Sequence, residues 1–278
     1  MLSILIILFV RSHLVSASAT DTNSVKLIIR GDGFGLTSGS LYAFRKAFNE
    51  GILTCATINV HGEYFKEAIQ LCRKNPKWCI GLNLAITGQW RNSRWKPVLP
   101  PHMVPSIVDN KGYLFENPEL LFFTKPNLNE INTELRAQID LVLKKEIVLD
   151  YINLPATNII KNADMELKEI LKRISNDYHI PLASQFGIQH FSVFSEKNEQ
   201  KMKELTNILE SLKSGLWEWQ CYPDYDYLKQ ILFFTRGPLT PGETELNILT
   251  DPTIKSLIIQ KNIFLTNYKE LSPFKPLK

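Results

Sequence analysis

Four absences narrow the sequence before any motif is considered. Its four cysteines include no Cys-x-x-Cys pair, so the paired thiolates typical of a structural zinc site are missing. It contains no Asn-x-Ser/Thr triplet, and N-glycosylation is therefore not expected. It has no basic block. The 32 Lys and Arg are interspersed with 28 Asp and Glu for a net charge of +4, which leaves nothing to track a phosphate backbone and sets nucleic acid aside as a partner. Beyond the amino terminus no stretch is long and apolar enough to cross a bilayer, and no internal repeat or low-complexity segment is visible. What is present, 278 residues with 44% hydrophobic and 22% charged content, suits one sizeable core and a single α/β domain.

The amino terminus stands apart. Met1 to Val10 is an apolar run too short to span a membrane, and Ser16-Ala17-Ser18-Ala19 follows as a small-residue cleavage pattern. The expectation is a signal peptide over 1–19, a folded domain over 20–278, no membrane span after cleavage, and a location outside the cell or in the secretory-pathway lumen. No Lys or Arg precedes the apolar run, while Arg11 and His13 follow it, so an uncleaved anchor is the alternative. Export would expose Cys55, Cys72, Cys79 and Cys221 to oxidising conditions, where three complete pairings are open. A Cys72–Cys79 bridge across the intervening loop is the most reachable, and Cys55, inside an apolar strand, reads as a buried thiol. The oligomeric state is not written in the sequence.

The chain is organised around Val25-Lys26-Leu27-Ile28-Ile29-Arg30-Gly31-Asp32-Gly33-Phe34-Gly35-Leu36. An apolar strand runs into a glycine-punctuated turn, and a helix follows from Ser38 with Leu41, Phe44, Phe48 and Ile52 at helical spacing. Asp32 thus sits at the carboxyl end of a strand, where α/β folds place their chemistry, although a turn aspartate capping its own loop is the competing reading. Strands are predicted at Leu53–Val60, Ile80–Ile86, Ile147–Leu154, Ile180–Ala183, Gly215–Cys221 and Ile263–Leu265. Helices are predicted at Glu63–Lys74, Leu128–Lys145 with Asn129 as N-cap, Asp164–Tyr178, Glu199–Leu212 and Pro252–Lys261. This alternation predicts a barrel-like (β/α) domain of about seven parallel strands. Between Thr87 and Asn127 the periodicity is lost in a long excursion with a hairpin around Asn110-Lys111-Gly112. Its Trp90 and Trp95 suit either stacking on sugar rings or a local mini-core.

In order and spacing the landmarks resemble those of the YdjC-like carbohydrate deacetylases. The family opens with Asn-Ala-Asp-Asp-Phe-Gly-Leu, and this chain has Arg30-Gly31-Asp32-Gly33-Phe34-Gly35-Leu36. The family's Gly-Leu-His-Leu is similar to Gly81-Leu82-Asn83-Leu84, its Glu-Leu-Arg-Ala-Gln-Ile to Glu134–Ile139, and its Cys-His-Pro-Gly to Cys221-Tyr222-Pro223-Asp224. Its C-terminal Leu-Thr-Asp-Pro and Asn-Tyr are similar to Leu249–Pro252 and Asn267-Tyr268. The resemblance runs from about Lys26 to Leu271. It implies a distorted (β/α) barrel that removes N-acetyl groups from sugars with one divalent metal, magnesium or zinc, that polarises a water and the amide carbonyl. The implied base is the position of Asp32 and the implied acid that of Tyr222. The implied metal ligands fall on Gly33, Asn83 and Pro155, the last in a His-x-Asp-Ser-His cluster that here reads Tyr151-Ile152-Asn153-Leu154-Pro155.

Only Asp32 keeps its residue type. One carboxylate among neutral amides would hold a hard cation weakly, so the expectation is a catalytically degenerate member of the family with no cofactor. Its cleft, lined by Asn83, Trp90, Trp95, Tyr151, Asn153 and Tyr222, would retain contact with an acetylated oligosaccharide. Two alternatives stay open. One is an active metal-dependent deacetylase or hydrolase relocated around Asp32 and His61, with His61 as replacement ligand. The other is a protein-interaction scaffold. Arg30 is expected on the same face as Asp32, within pairing reach.

Overall fold

The computed structural model of the chain describes residues 24–88, 94–155, 164–193, 195, 198–225 and 242–274. The expected signal peptide over 1–19 and Trp90 lie outside them. Within them the first strand, β1 (Val25–Phe34), takes three partners, all parallel. One of its edges pairs along Val25–Gly31 with β6 (Gly215–Cys221). The other edge is shared: Val25–Leu27 pair with β7 (Ile263–Leu265), and Arg30–Phe34 pair with β2 (Cys55–Ile58). Beyond β2 lie β3 (Cys79–Asn83) and β4 (Tyr151–Asn153), and beyond β6 lies β5 (Gln189–Phe191).

The sheet curls into a half-barrel, the distorted barrel expected, and its two edges are joined by one short piece of chain. Leu182 makes a parallel bridge to Ile152 of β4, and seven residues later the chain enters β5 on the opposite edge. The strand predicted over Ile180–Ala183 is therefore a single bridge, and the seventh strand is β5, which the apolar pattern did not mark. Its sequence Gln189-His190-Phe191 is largely exposed, so it carries no buried alternation to read.

Strand alternation divides the interior into two layers. Leu27, Ile29, Ala56, Ile58, Ile80, Leu82, Ile152 and Trp219 face outward into the main core. There they meet α1 (Ser38–Glu50), α2 (Phe65–Lys74), α3 (Pro118–Phe123), α4 (Leu128–Leu143), α5 (Asp164–Tyr178), α6 (Asn198–Ser211), α7 (Gly242–Leu249) and α8 (Pro252–Gln260). Each fully buried aliphatic or aromatic side chain in that layer contributes roughly 1.5–3 kcal/mol relative to an exposed one. The inward residues form a second, small cluster of Ile28, Cys55, Cys79, Tyr151, Ala183 and Tyr268, with Tyr268 supplied by the short helix α9 (Tyr268–Leu271).

This division corrects the cysteine pairing. Cys72 belongs to the outer layer and Cys79 to the inner one, with the sheet between them, and all four cysteines are buried free thiols. Other boundaries also moved. Asn127, not Asn129, caps α4, its side chain accepting from the Asn129 backbone N–H. The predicted hairpin is present in minimal form, an antiparallel bridge between Val108 and Leu114 around the turn at Asn110-Lys111-Gly112, entered from a 3-10 turn over Pro105–Ile107.

Gly81 is required where β3 passes Tyr151. A Cβ at residue 81 would lie 2.4–2.6 Å from the Tyr151 ring, which is itself wedged against Tyr268 with ring centroids 4.0 Å apart. Gly81→Ala is expected to destabilise the protein by roughly 1–3 kcal/mol, measured by urea denaturation, and Tyr151→Leu in the same chain to recover part of the loss. A Gly81→Ala variant as stable as the wild type would show that the ring has room to move.

Candidate active-site face

The carboxyl ends of five neighbouring strands each contribute one inward side chain, and these link into a row. Asn153 on β4 donates to the Asn83 Oδ1 on β3 at 2.9 Å, and Asn83 donates to the Thr57 Oγ1 on β2 at 2.9 Å. Thr57 donates to Asp32 Oδ1 on β1 at 2.5 Å. From the other side Gln220 on β6 donates to Asp32 Oδ2 at 2.6 Å and also reaches the Tyr222 hydroxyl at 2.5 Å. The strand register puts Thr57 opposite Asp32 and Asn153 opposite Asn83, which is why a row forms at all.

One pleat deeper stands a charged group. Arg30 Nε lies 3.2 Å from Asp32 Oδ1, so the expected pairing is found, although the N–H is not aligned as a hydrogen bond. Arg30 Nη1 lies 3.4 Å from Glu218 Oε1, and Tyr268 donates its hydroxyl to Glu218 Oε2. His190, 63% exposed on β5, brings Nδ1 to 3.1 Å from Glu218 Oε1. Arg30, Asp32 and Glu218 are each at most 5% exposed. Burial raises the Asp32 pKa above its ordinary 3.8, against the opposing pull of Arg30 and the Thr57 hydrogen bond. Burial also pushes Glu218 upward, but His190, Arg30 and Tyr268 together hold it below its ordinary value.

A divalent cation does not fit this donor set. Both Asp32 oxygens accept from neighbouring side chains, and a guanidinium stands beside them. Asn83 Oδ1 is already an acceptor within the row. Gly33, at an expected ligand position, is the extra residue of a bulge between Asp32 and Phe34 and has φ +95°. An aspartate there would be strained as well as adding a second carboxylate. Pro155 is exposed and has no donor atom. Among the described residues no three His, Cys, Asp or Glu side chains gather as a metal centre requires. At the expected acid position, the Tyr222 phenol is raised above its ordinary 10 by burial and by the Asp32 charge, which makes it a weak proton donor at neutral pH.

The remaining expected residues are placed elsewhere. Trp95 is 6% exposed and packs in the main core, not in a separate mini-core of the loop, so its ring is covered and does not line an open cleft. Its ring stacks on that of His61 at 4.9 Å. Among the described residues His61 does not gather with two further His, Cys, Asp or Glu side chains, as a replacement metal site would require. Asn59 Oδ1 accepts from the His61 backbone N–H at 2.9 Å and lies 3.1 Å from Nδ1, while Nε2 is buried without a hydrogen-bond partner. Tyr151, expected in the cleft lining, is fully buried inside the barrel, and its hydroxyl also has no partner within the protein. Thr57, Glu218 and Gln220 were missed. The sequence signal for two of them is the alternation Trp217-Glu218-Trp219-Gln220-Cys221, which sets both polar residues on one face.

The fold and this face together define a parallel-strand (β/α) barrel with its polar residues gathered at the strand carboxyl ends. The YdjC-like protein family matches residues 26–260, and the chain belongs to that family. It is 27% identical to a carbohydrate deacetylase of Enterococcus faecalis over 267 residues, covering 89% of this chain and 98% of that protein. To a carbohydrate deacetylase of Vibrio parahaemolyticus it is 24% identical over 257 residues, covering 89% and 96%. A crystal structure from Enterococcus faecalis, described as a cellobiose-phosphate cleavage protein, superposes with a TM-score of 0.73 at 26% identity, covering 90% of this chain and all of that one.

The buried groups give two titration results. Asp32, with its pKa raised above 3.8, binds its proton more tightly folded than unfolded, so it costs stability as pH rises through the folded value. Asp32→Asn removes that cost. The stability of the variant relative to the wild type is expected to climb as pH increases from 3.8, measured by urea denaturation at several pH values; a flat or falling difference would contradict the assignment. Burial lowers the His61 pKa from 6.5 to about 4. An NMR titration is expected to find His61 neutral until about pH 4, and a midpoint near 6.5 would place the ring in solvent.

Proposed function

We propose that this chain is a YdjC-family protein without metal-dependent deacetylase activity, exported by its amino-terminal segment, whose carboxyl face binds an acetylated oligosaccharide through neutral contacts. One observation carries the reading: the sole carboxylate left at the family's catalytic positions, Asp32, has both oxygens satisfied by Thr57 and Gln220 and its charge offset by Arg30. A base must present an oxygen to its substrate, and a ligand must be free to face its metal. Asp32 does neither in this arrangement. The other positions, Gly33, Asn83, Pro155 and Tyr222, carry no charge, so the face loses hydrolytic chemistry while keeping amides and a phenol that suit sugar hydroxyls and acetamides. The homologues' description as carbohydrate deacetylases supports the substrate class.

Acetate release from N-acetylated chito-oligosaccharides with added magnesium or zinc tests the first half. The expected rate equals that of Asp32→Ala, and the melting temperature is expected not to move with chelator. Release that disappears in Asp32→Ala and with chelator would overturn the proposal. A glycan array tests the second half, and a flat response to acetylated sugars would remove carbohydrate binding.

A further inference from the structure

Two exposed tyrosines follow the carboxyl ends of β1 and β6, the strands that carry Asp32 and Gln220. Tyr42 lies on the second turn of α1, the helix that directly follows the Asp32 loop, and is 42% exposed. Tyr225 follows the end of β6, three residues after Tyr222, and is 59% exposed. Their rings meet edge to face, with centroids 5.1 Å apart and planes at 62°. In that geometry only one face of one ring is covered, and broad apolar surface stays open to solvent.

The pair is held in place from beneath. Thr37, which caps α1 by accepting from the Ser40 N–H, donates its hydroxyl to Asp224 Oδ2 at 2.5 Å. Asp224, 3% exposed, accepts from the Tyr225 N–H through Oδ1 at 2.7 Å. One buried carboxylate therefore ties the start of α1 to the chain leaving β6, and both tyrosines project from that tie. Preorganisation of this kind lowers the entropy lost when a ligand is gripped. At the carboxyl ends of the strands, the Tyr222 hydroxyl and the partly exposed Gln220, Asn83 and Asn153 side chains supply neutral hydrogen-bonding groups.

We infer that Tyr42 and Tyr225 form an aromatic platform that stacks on the apolar C–H face of a pyranose ring and directs its hydroxyl or acetamide groups toward the Tyr222–Gln220–Asn83 row. This rests on the carbohydrate-binding reading above and assigns it to particular side chains. It takes the task that the sequence offered to Trp95, whose ring packs in the core. A sugar ring presents a flat hydrocarbon face rimmed by hydroxyls, and an apolar platform beside an uncharged polar row matches both features; a charged or wholly apolar ligand matches only one.

Isothermal titration with tetra-N-acetylchitotetraose tests the inference. With the wild type binding, Tyr42→Ala and Tyr225→Ala are each expected to weaken affinity at least tenfold without a fall in melting temperature, while Tyr42→Phe and Tyr225→Phe bind as the wild type does. Saturation-transfer NMR on the wild type, needing no variant, is expected to carry magnetisation from tyrosine ring protons to the sugar C–H protons. Wild-type binding that both alanine variants retain, or that shows no such transfer, would overturn the platform and leave the proposed function standing. No binding by the wild type would overturn both.

Discussion

The arrangement of this face follows from one guanidinium placed between two carboxylates inside a curled sheet. Taking an ion out of water costs several kcal/mol even after relaxation, and only close partners offset that cost. Arg30 has two, Asp32 at 3.2 Å and Glu218 at 3.4 Å, which leaves an excess of negative charge. The surrounding residues relieve it. Thr57 and Gln220 donate to Asp32, Tyr268 donates to Glu218, and His190 reaches Glu218 from the open side of the barrel. A further carboxylate at Gly33 would add repulsion to an already unbalanced group. Uncharged residues at Gly33, Asn83 and Pro155 are thus what the buried charges permit.

The sequence carried the frame of the molecule better than its interior. Apolar runs marked β1, β6 and β7 correctly because those strands bury one or both faces. β5 escaped because an exposed edge strand has no pattern to show, and Ile180–Ala183 was overread because four apolar residues suit a strand whether or not a partner extends along them. Motif order put Asp32, Asn83, Asn153 and Tyr222 together, since each ends a strand or directly follows one. Composition could not tell a tryptophan that stacks on a ligand from one that packs a loop. For Trp95 the question is settled by its contact with His61, which depends on where a long irregular segment folds back.

That segment is held by α4, and the helix explains a landmark that sequence alone left without a role. Glu134 and Gln138 are one turn apart, both fully buried and hydrogen-bonded to each other. Glu134 accepts from the Val98 and Leu99 N–H groups, and Gln138 both accepts from and donates to the Ala85 backbone. Glu130 adds a bond to the Ser106 N–H. Polar residues at helix-interior positions therefore serve as backbone partners for a loop that has few of its own. Glu134 and Gln138 of the Glu134–Ile139 motif thus tie the excursion to α4.

β1 divides one edge between β2 and β7, and this has a bearing on when the molecule can fold. The lower half of the first strand has no complete set of neighbours until Gly215–Trp217 and Ile263–Leu265 have been made. Contacts that distant in sequence form slowly, because the loop must close before the pairing stabilises it. A chain emerging from the ribosome can assemble α1, β2, α2 and β3 early, but the strand that anchors Asp32 stays half-paired until nearly the whole sequence has been synthesised. The last strand to appear is the one that finishes the first.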